Sequence, residues 1–193
     1  MSAQSVPRIT PEEYLAIDRA AEFKSEYFDG KMYAMSGGTL AHSALAGRML
    51  TELNIALAGK GCRVFNSDAR IRATRSTFVY PDVSVVCGRP EIQDNDILLN
   101  PVVIVKVLSE STERYDRGLK FARYRRMESL QEYALVAQSD PRVEVFARQP
   151  DGSWSMREYE GLQAVVKLPS IGVEISLQGL YQDIDLGAAA ASI

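Results

Sequence analysis

The chain has 193 residues, 46% hydrophobic and 24% charged, enough to bury one core, so a single domain over residues 1–193 is expected, with 1–8 and 186–193 flexible. Its net charge of −3 and isoelectric point of about 5.3 mean that any nucleic-acid contact must come from a local basic patch, not from bulk charge. Residues 1–7 lack an apolar signal core, and no stretch approaches the roughly 20 apolar residues of a membrane span, which predicts a soluble cytoplasmic protein without a membrane partner.

Thr10-Pro11-Glu12-Glu13 is a helix start: Thr10 caps, Pro11 suits the first turn and Glu13 closes a capping box. Tyr14, Leu15 and Ile17 give that helix an apolar side. Residues 27–33 read as a hairpin around Asp29-Gly30, because that dipeptide suits a two-residue turn with positive φ. Gly37-Gly38 breaks the chain. Over residues 39–57, Leu45, Met49, Leu53 and Leu57 recur at fours, the spacing of one helix face, and Gly59 and Gly61 end the helix. Strands are predicted at 63–65, 69–73 and 78–87.

Cys62 and Cys87 form no CxxC and suggest no zinc site. Both lie in apolar, strand-like segments, so buried free thiols in a reducing compartment are expected rather than a disulfide. Residues 102–108 are nearly all apolar, as in a central strand covered on both faces. Residues 116–127 read as a helix with Leu119, Tyr124 and Met127 inward. Strands follow at 132–137 and 143–148, then a hairpin turn at Asp151-Gly152 leads to 154–159, and 173–177 is a last short strand. Residues 188–191 are expected to fray. The pattern is α+β: a mixed central β-sheet flanked by helices, with additional β-hairpins.

Few residues carry chemistry. Asp82 follows Tyr80-Pro81 where a strand leaves a loop, and a carboxylate there can enter a cleft and bind a hard divalent cation or simply face water. Lys106 is a lone charge in an apolar run. On an edge strand it would point to solvent, whereas on a central strand it must face a polar cleft or an anion. The loop 109–113 can present Ser109 and neighbouring hydroxyls, with Arg114, to a phosphate, while Asp116 can cap the next helix. Arg117, Lys120 and Tyr124 at helical spacing share one side. Lys120 can stabilise a pentavalent phosphate, and the arginines with Tyr124 can contact a nucleic-acid backbone, although solvated helix charge explains them too. Glu26 and Asp29 flank the first hairpin, Asp68 is a weaker cleft candidate, and the lone His42 excludes a multi-histidine metal site.

Taken together, Glu26-Tyr27-Phe28-Asp29-Gly30-Lys31, His42, Tyr80-Pro81-Asp82-Val83-Ser84-Val85-Val86, Val107-Leu108-Ser109-Glu110-Ser111-Thr112, Asp116-Arg117-Gly118-Leu119-Lys120, Tyr124 and Leu130-Gln131-Glu132-Tyr133 resemble the Uma-two family of restriction endonuclease-like proteins, within the PD-(D/E)XK nuclease superfamily. The resemblance covers roughly residues 10–180. It implies a restriction-endonuclease-like core and Mg²⁺-dependent (or Mn²⁺-dependent) hydrolysis of DNA phosphodiesters. In it Asp82 is first metal ligand, Glu26 a helper carboxylate and metal ligand, and Lys120 the catalytic lysine. The second ligand carboxylate of that pattern falls at Lys106, where this chain departs from it. An Asp82–Lys106 ion pair is then expected in the metal position, with activity weakened or lost, and Glu110 is a less favoured substitute ligand. The alternative is a non-catalytic nucleic-acid-binding or protein-interaction module. A homodimer is also expected, through the hairpins at 27–33 and 154–159.

Overall fold

A computed structural model describes residues 8–35 and 37–186. The first helix, α1 (Pro11–Ala20), starts as its sequence requires: Thr10 Oγ1 accepts from the Glu13 amide at 3.2 Å, and Glu13 Oε2 accepts from the Thr10 amide at 2.7 Å. Tyr14 and Leu15 are buried, but Ile17 faces out and Asp18 is buried in its place. Strands β1 (Ser25–Phe28) and β2 (Lys31–Ala34) form the expected hairpin, with Asp29 and Gly30 both at positive φ. A Cβ on Gly30 would come within 2.6 Å of the Arg8 side chain, so this turn also seats the incoming chain. Helix α2 (Leu40–Leu57) buries the four apolar residues spaced at fours.

The remaining elements are β3 (Cys62–Asn66), β4 (Arg70–Thr74), β5 (Thr77–Val79), β6 (Val83–Cys87), β7 (Ile92–Gln93), β8 (Ile97–Leu98) and β9 (Val103–Val107). Then come α3 (Glu113–Tyr115), a π-helical turn (Asp116–Lys120) and α4 (Phe121–Tyr124). β10 (Glu132–Val136), β11 (Arg142–Arg148), β12 (Trp154–Glu160), β13 (Val165–Leu168), β14 (Val173–Ser176) and α5 (Leu177–Leu180) complete the chain. The strands make two six-stranded sheets, ordered β2-β1-β5-β4-β8-β7 and β12-β11-β10-β9-β6-β3, and a separate β13–β14 hairpin. Each large sheet is mixed, with one parallel pair, β4–β8 or β9–β10, among antiparallel ones.

Strand β9 is central, as its unbroken apolar run requires. Val103, Val105 and Val107 pack toward α2, while Ile104 packs on the opposite face with Phe28, Tyr124 and Tyr133. Lys106 shares that second face, which looks toward the first sheet and the π turn.

Three expectations are corrected. The single strand at 78–87 is two strands in different sheets, because Pro81 has no amide proton to donate and the chain crosses between sheets at Tyr80-Pro81-Asp82. The regular helix at 116–127 is instead a π turn joining two short α segments, and Leu119 is exposed. Cys62 and Cys87 are neither free nor fully buried. They are directly opposite in the β3–β6 register and form a disulfide, so the inference of a reducing compartment loses its support. Sequence separation hid a pairing that antiparallel register creates. The expected mixed sheet flanked by helices is the one that holds β9, and the first hairpin belongs to a second mixed sheet beside it.

Of the ends expected to be flexible, 1–7 and 187–193 lie outside the described residues, the expected fraying at 188–191 among them. Arg8 lies against Gly30, and Leu186 packs on the main core. Among the described residues no helix is long and apolar enough to cross a membrane.

Candidate functional site

The crossover between sheets delivers Asp82 to the side of β9. Its Oδ2 accepts from the Val107 amide at 2.6 Å, and its Oδ1 accepts from Lys106 Nζ at 3.0 Å. His42, on the first turn of α2, brings Nε2 to 3.5 Å from Asp82 Oδ2. Asp82 and Lys106 are 6% and 7% exposed, so this is a buried ion pair. Burial alone would push the Asp82 carboxyl up. His42 and Lys106 overcome that and hold it below the ordinary carboxylate value.

A second ion cluster adjoins the first. Lys120 Nζ lies 2.9 Å from both Glu26 Oε2 and Asp116 Oδ1. Glu26 also accepts from the Tyr80 amide at 3.3 Å, and Asp116 accepts from Thr112 Oγ1 at 2.7 Å. Burial pulls the Lys120 ammonium down, but its two carboxylate partners raise it above its ordinary value, so it stays charged. The π turn makes this possible. It widens one turn of helix, and such turns recur at functional sites.

Both clusters line one cleft of about 1080 Å³. Its rim includes Ser109, whose hydroxyl lies 2.7 Å from Thr112 Oγ1, and Glu110. Gly38 also lines it. A Cβ there would meet His42 Nδ1 at 2.8 Å, so glycine lets the chain pass the imidazole.

The cleft thus brings together Glu26, His42, Asp82, Lys106, Ser109 and Lys120. It leaves others out. Tyr124 is 1% exposed and packs on Tyr133, where no nucleic acid can reach it, which corrects its reading as a backbone contact. Arg117 is engaged by Glu113 and the buried Glu144, not by the cleft. Arg117, Lys120 and Tyr124 therefore do not share one side, because the π turn changes the helical phase on which that reading rested. Arg114 is exposed on α3. Asp29 pairs with Arg123, and Asp68 with Lys24.

Asp116 is the residue that sequence reasoning missed. Its side chain is not a helix cap but a fully buried partner of Lys120, a role signalled only by the i, i+4 spacing of the two within the motif quoted above. Tyr33 and Tyr115 also line the cleft and carried no signal at all.

The donor set tests the divalent ion that the resemblance implies. Three carboxylates (Glu26, Asp82, Asp116) face two ammoniums (Lys106, Lys120), so 2 − 3 leaves a net charge of only −1. Among the described residues no group of three or more His, Cys, Asp or Glu could hold a metal ion. At about 4 Å and an effective dielectric of about 20, Lys106 would repel a divalent ion by on the order of 8 kcal/mol. These residues do not fit a tightly bound Mg²⁺.

Comparison with known proteins gives the relatives of the chain. The Uma2 family model, described as "Putative restriction endonuclease", matches residues 11–178. The "Uncharacterized protein slr1290" of Synechocystis is 35% identical over 179 residues, covering 92% of this chain and 94% of that protein. The "Uncharacterized protein sll1609" of the same organism is 32% identical over 162 residues, covering 82% and 92%. The crystal structure of "a putative nuclease belonging to DUF820" from Anabaena variabilis superposes with a TM-score of 0.74 at 20% identity, over 90% of this chain and 97% of that one. At that identity the likeness shows the fold alone: α+β and restriction-endonuclease-like.

Proposed function

The chain belongs to the Uma2 family, and from that premise we propose that its cleft is a DNA phosphodiester site whose Mg²⁺- or Mn²⁺-dependent cleavage is attenuated by Lys106. The observation that carries this reading is the buried Asp82–Lys106 ion pair, which stands where the family resemblance calls for two carboxylates. An ammonium in place of a carboxylate changes the local charge by two units, and the Asp82 oxygens are spent on Lys106 and the Val107 amide.

The remaining machinery suits a phosphodiester. Lys120, kept charged by Glu26 and Asp116, is the cation placed to meet charge that develops on a phosphoryl group. Ser109 and its neighbouring hydroxyls offer hydrogen bonds to phosphate oxygens. Arg114 is exposed next to the cleft-lining Tyr115, in position for a strand leaving the cleft. A non-catalytic nucleic-acid-binding module is the limiting case of the same reading, since the ion pair that weakens metal binding leaves these contacts in place. A homodimer belongs to the proposal too: β12 is an outer strand of the second sheet and exposes Met156. Light scattering that finds only monomer at high concentration overturns that part.

Calorimetric Mn²⁺ titration and plasmid nicking, each on wild type and Lys106→Glu, test the main claim. The expected result is weak metal binding and little nicking by wild type. In Lys106→Glu both rise, and the nicking is lost again on adding Asp82→Asn or Lys120→Met. Tight metal binding by wild type, with nicking at least as fast as the variant, overturns it.

A further inference from the structure

Two tyrosines on one wall of the cleft are not used by the ion clusters. Tyr33, on β2, is directly across from Glu26 in the β1–β2 register, and directly opposed residues of an antiparallel pair share a face. The ring therefore stands on the cleft side, next to a carboxylate of the site, and it is 44% exposed. A large aromatic left half in water at the mouth of a charged cleft is an unused stacking surface.

It is also held rigidly. Its ring packs at 6.0 Å against Phe28, nearly edge-on, and at 6.0 Å against Tyr115, tilted by 45°. Tyr115 in turn meets Phe28 at 5.1 Å and lies under Lys120 Nζ at 5.3 Å. The aromatic wall and the lysine of the site are thus one packed unit.

The second observation concerns the hydroxyl of Tyr115. It is buried and has no hydrogen-bond partner among the described residues, in a residue that lines the cleft. A buried polar atom left unpaired costs free energy, and native structures rarely keep one without use. An unpartnered buried donor, which a small turn of the Tyr115 ring would bring to the cleft, and a half-exposed ring beside it, next to a phosphoryl-binding lysine, match the two parts of a nucleotide outside a stack. Such a nucleotide has a base with an open π face, and acceptor atoms on that base and its sugar. Inside a duplex both base faces are covered, and Tyr33 could reach neither.

From this we infer that the cleft selects single-stranded or locally unpaired nucleic acid, with one unstacked base lying on Tyr33 and an acceptor of the same nucleotide taking the Tyr115 hydroxyl. The inference rests on the reading of the cleft as a nucleic-acid site, and it narrows the substrate class of that site. The volume suits it, since about 1080 Å³ exceeds what one nucleotide fills and leaves room for the adjoining phosphates. Tyr33 is the residue that sets specificity, and the charged groups of Glu26 and Lys120 are not its means of choosing.

Fluorescence anisotropy at low salt, on full-length protein, tests this with three labelled probes: a single-stranded oligonucleotide, its blunt duplex, and the same duplex with a three-nucleotide bulge. Wild type is expected to bind the single strand and the bulge at least ten-fold more tightly than the duplex. Tyr33→Ala should lose roughly ten-fold of single-strand affinity and leave duplex affinity unchanged, as expected for loss of one base stack. Tyr33→Phe and Tyr33→Trp should keep the preference, which separates stacking from misfolding. Tyr115→Phe should lower single-strand affinity several-fold with the preference only partly reduced. Equal affinity for single strand and duplex, or a Tyr33→Ala variant with the wild-type preference, overturns this inference and leaves the phosphodiester reading standing. Absence of salt-sensitive binding to any of the three probes overturns both.

Discussion

Two buried ion networks lie within a few residues of each other, and they differ in what surrounds them. One is the cleft, with Asp82, Lys106, Glu26, Lys120 and Asp116. The other centres on Arg70 of β4. Its guanidinium donates to Asp18 at 2.7 Å and to the Tyr80 hydroxyl at 2.8 Å, and pairs with Asp96. It also lies over the Tyr14 and Tyr80 rings at 5.8 and 5.4 Å. Tyr80 closes the network by donating to Asp18 at 2.7 Å. Both networks pair opposite charges under the surface, and Tyr80-Pro81-Asp82 joins them. Tyr80 serves the Arg70 network through its side chain, its amide serves Glu26, and Asp82 belongs to the cleft. The Arg70 side is a planar fork with its directions filled. The cleft side uses point-charge lysines, retains an orphan hydroxyl and opens on a cavity. Burial and charge pairing are common to scaffold and site. Unused bonding capacity beside open space is what separates them.

The largest expected effect breaks this comparison or upholds it. Arg70→Ala strands Asp18 inside the fold without a counter-charge and should cost about 3–5 kcal/mol. Lys106→Met leaves Asp82 with the Val107 amide, His42 and water from the cleft, and should cost only about 1–2 kcal/mol. Urea unfolding of both variants measures the difference. Equal losses mean that the cleft pair is as structural as Arg70.

A smaller effect lies in the pH dependence. The folded Asp82 carboxyl titrates below its ordinary value of 3.8, so the folded state binds fewer protons there than the unfolded chain. Its stabilisation is therefore present above that ordinary value and is lost as pH falls through the lower, folded value. Lys120 has the opposite sign: its folded value is raised above 10.5, so its contribution is present below that and is lost as pH rises beyond it. Asp82→Asn should flatten the acid limb of stability against pH, and Lys120→Met should flatten the alkaline limb. Thermal melts across both ranges check this. The Arg70 network adds to the alkaline limb through Tyr80, whose phenol burial pushes up, so Lys120→Met should reduce that limb without abolishing it.

The same contrast explains what could be read from the sequence. Period and punctuation are local, and they located the first hairpin, α2 with its inward fours, and β9 as a central strand. That last point made Lys106 anomalous, because a lone charge within a two-sided apolar strand needs a partner. Long-range register was not legible. It set Cys62 opposite Cys87 and split 78–87 between two sheets. Nor was the π turn, since no local residue pattern marks a widened helical turn, and with it went Asp116 and the phase of Arg117 and Tyr124. Asp82, Glu26 and Lys120 were reached through the family resemblance. Their individual sequence signals were compatible with solvated surface charge.

The smallest effect concerns His42, the only histidine in the chain, so a single Hε1 ring-proton NMR signal reports on it. Gly38 lies so close to that ring that a Cβ would approach Nδ1 to 2.8 Å. Gly38→Ala should therefore rotate the imidazole away from Asp82 at a cost of no more than about 1 kcal/mol, the order of an off-rotamer side chain. The signal should shift in Gly38→Ala and also in Asp82→Asn, because both break the contact now at 3.5 Å. It should stay in place in Arg70→Lys, since the Arg70 partners do not include His42. A signal that moves with Arg70→Lys as much as with Gly38→Ala would mean that the two networks communicate through Tyr80-Pro81-Asp82, and the separation of scaffold from site would then fail at the segment that joins them.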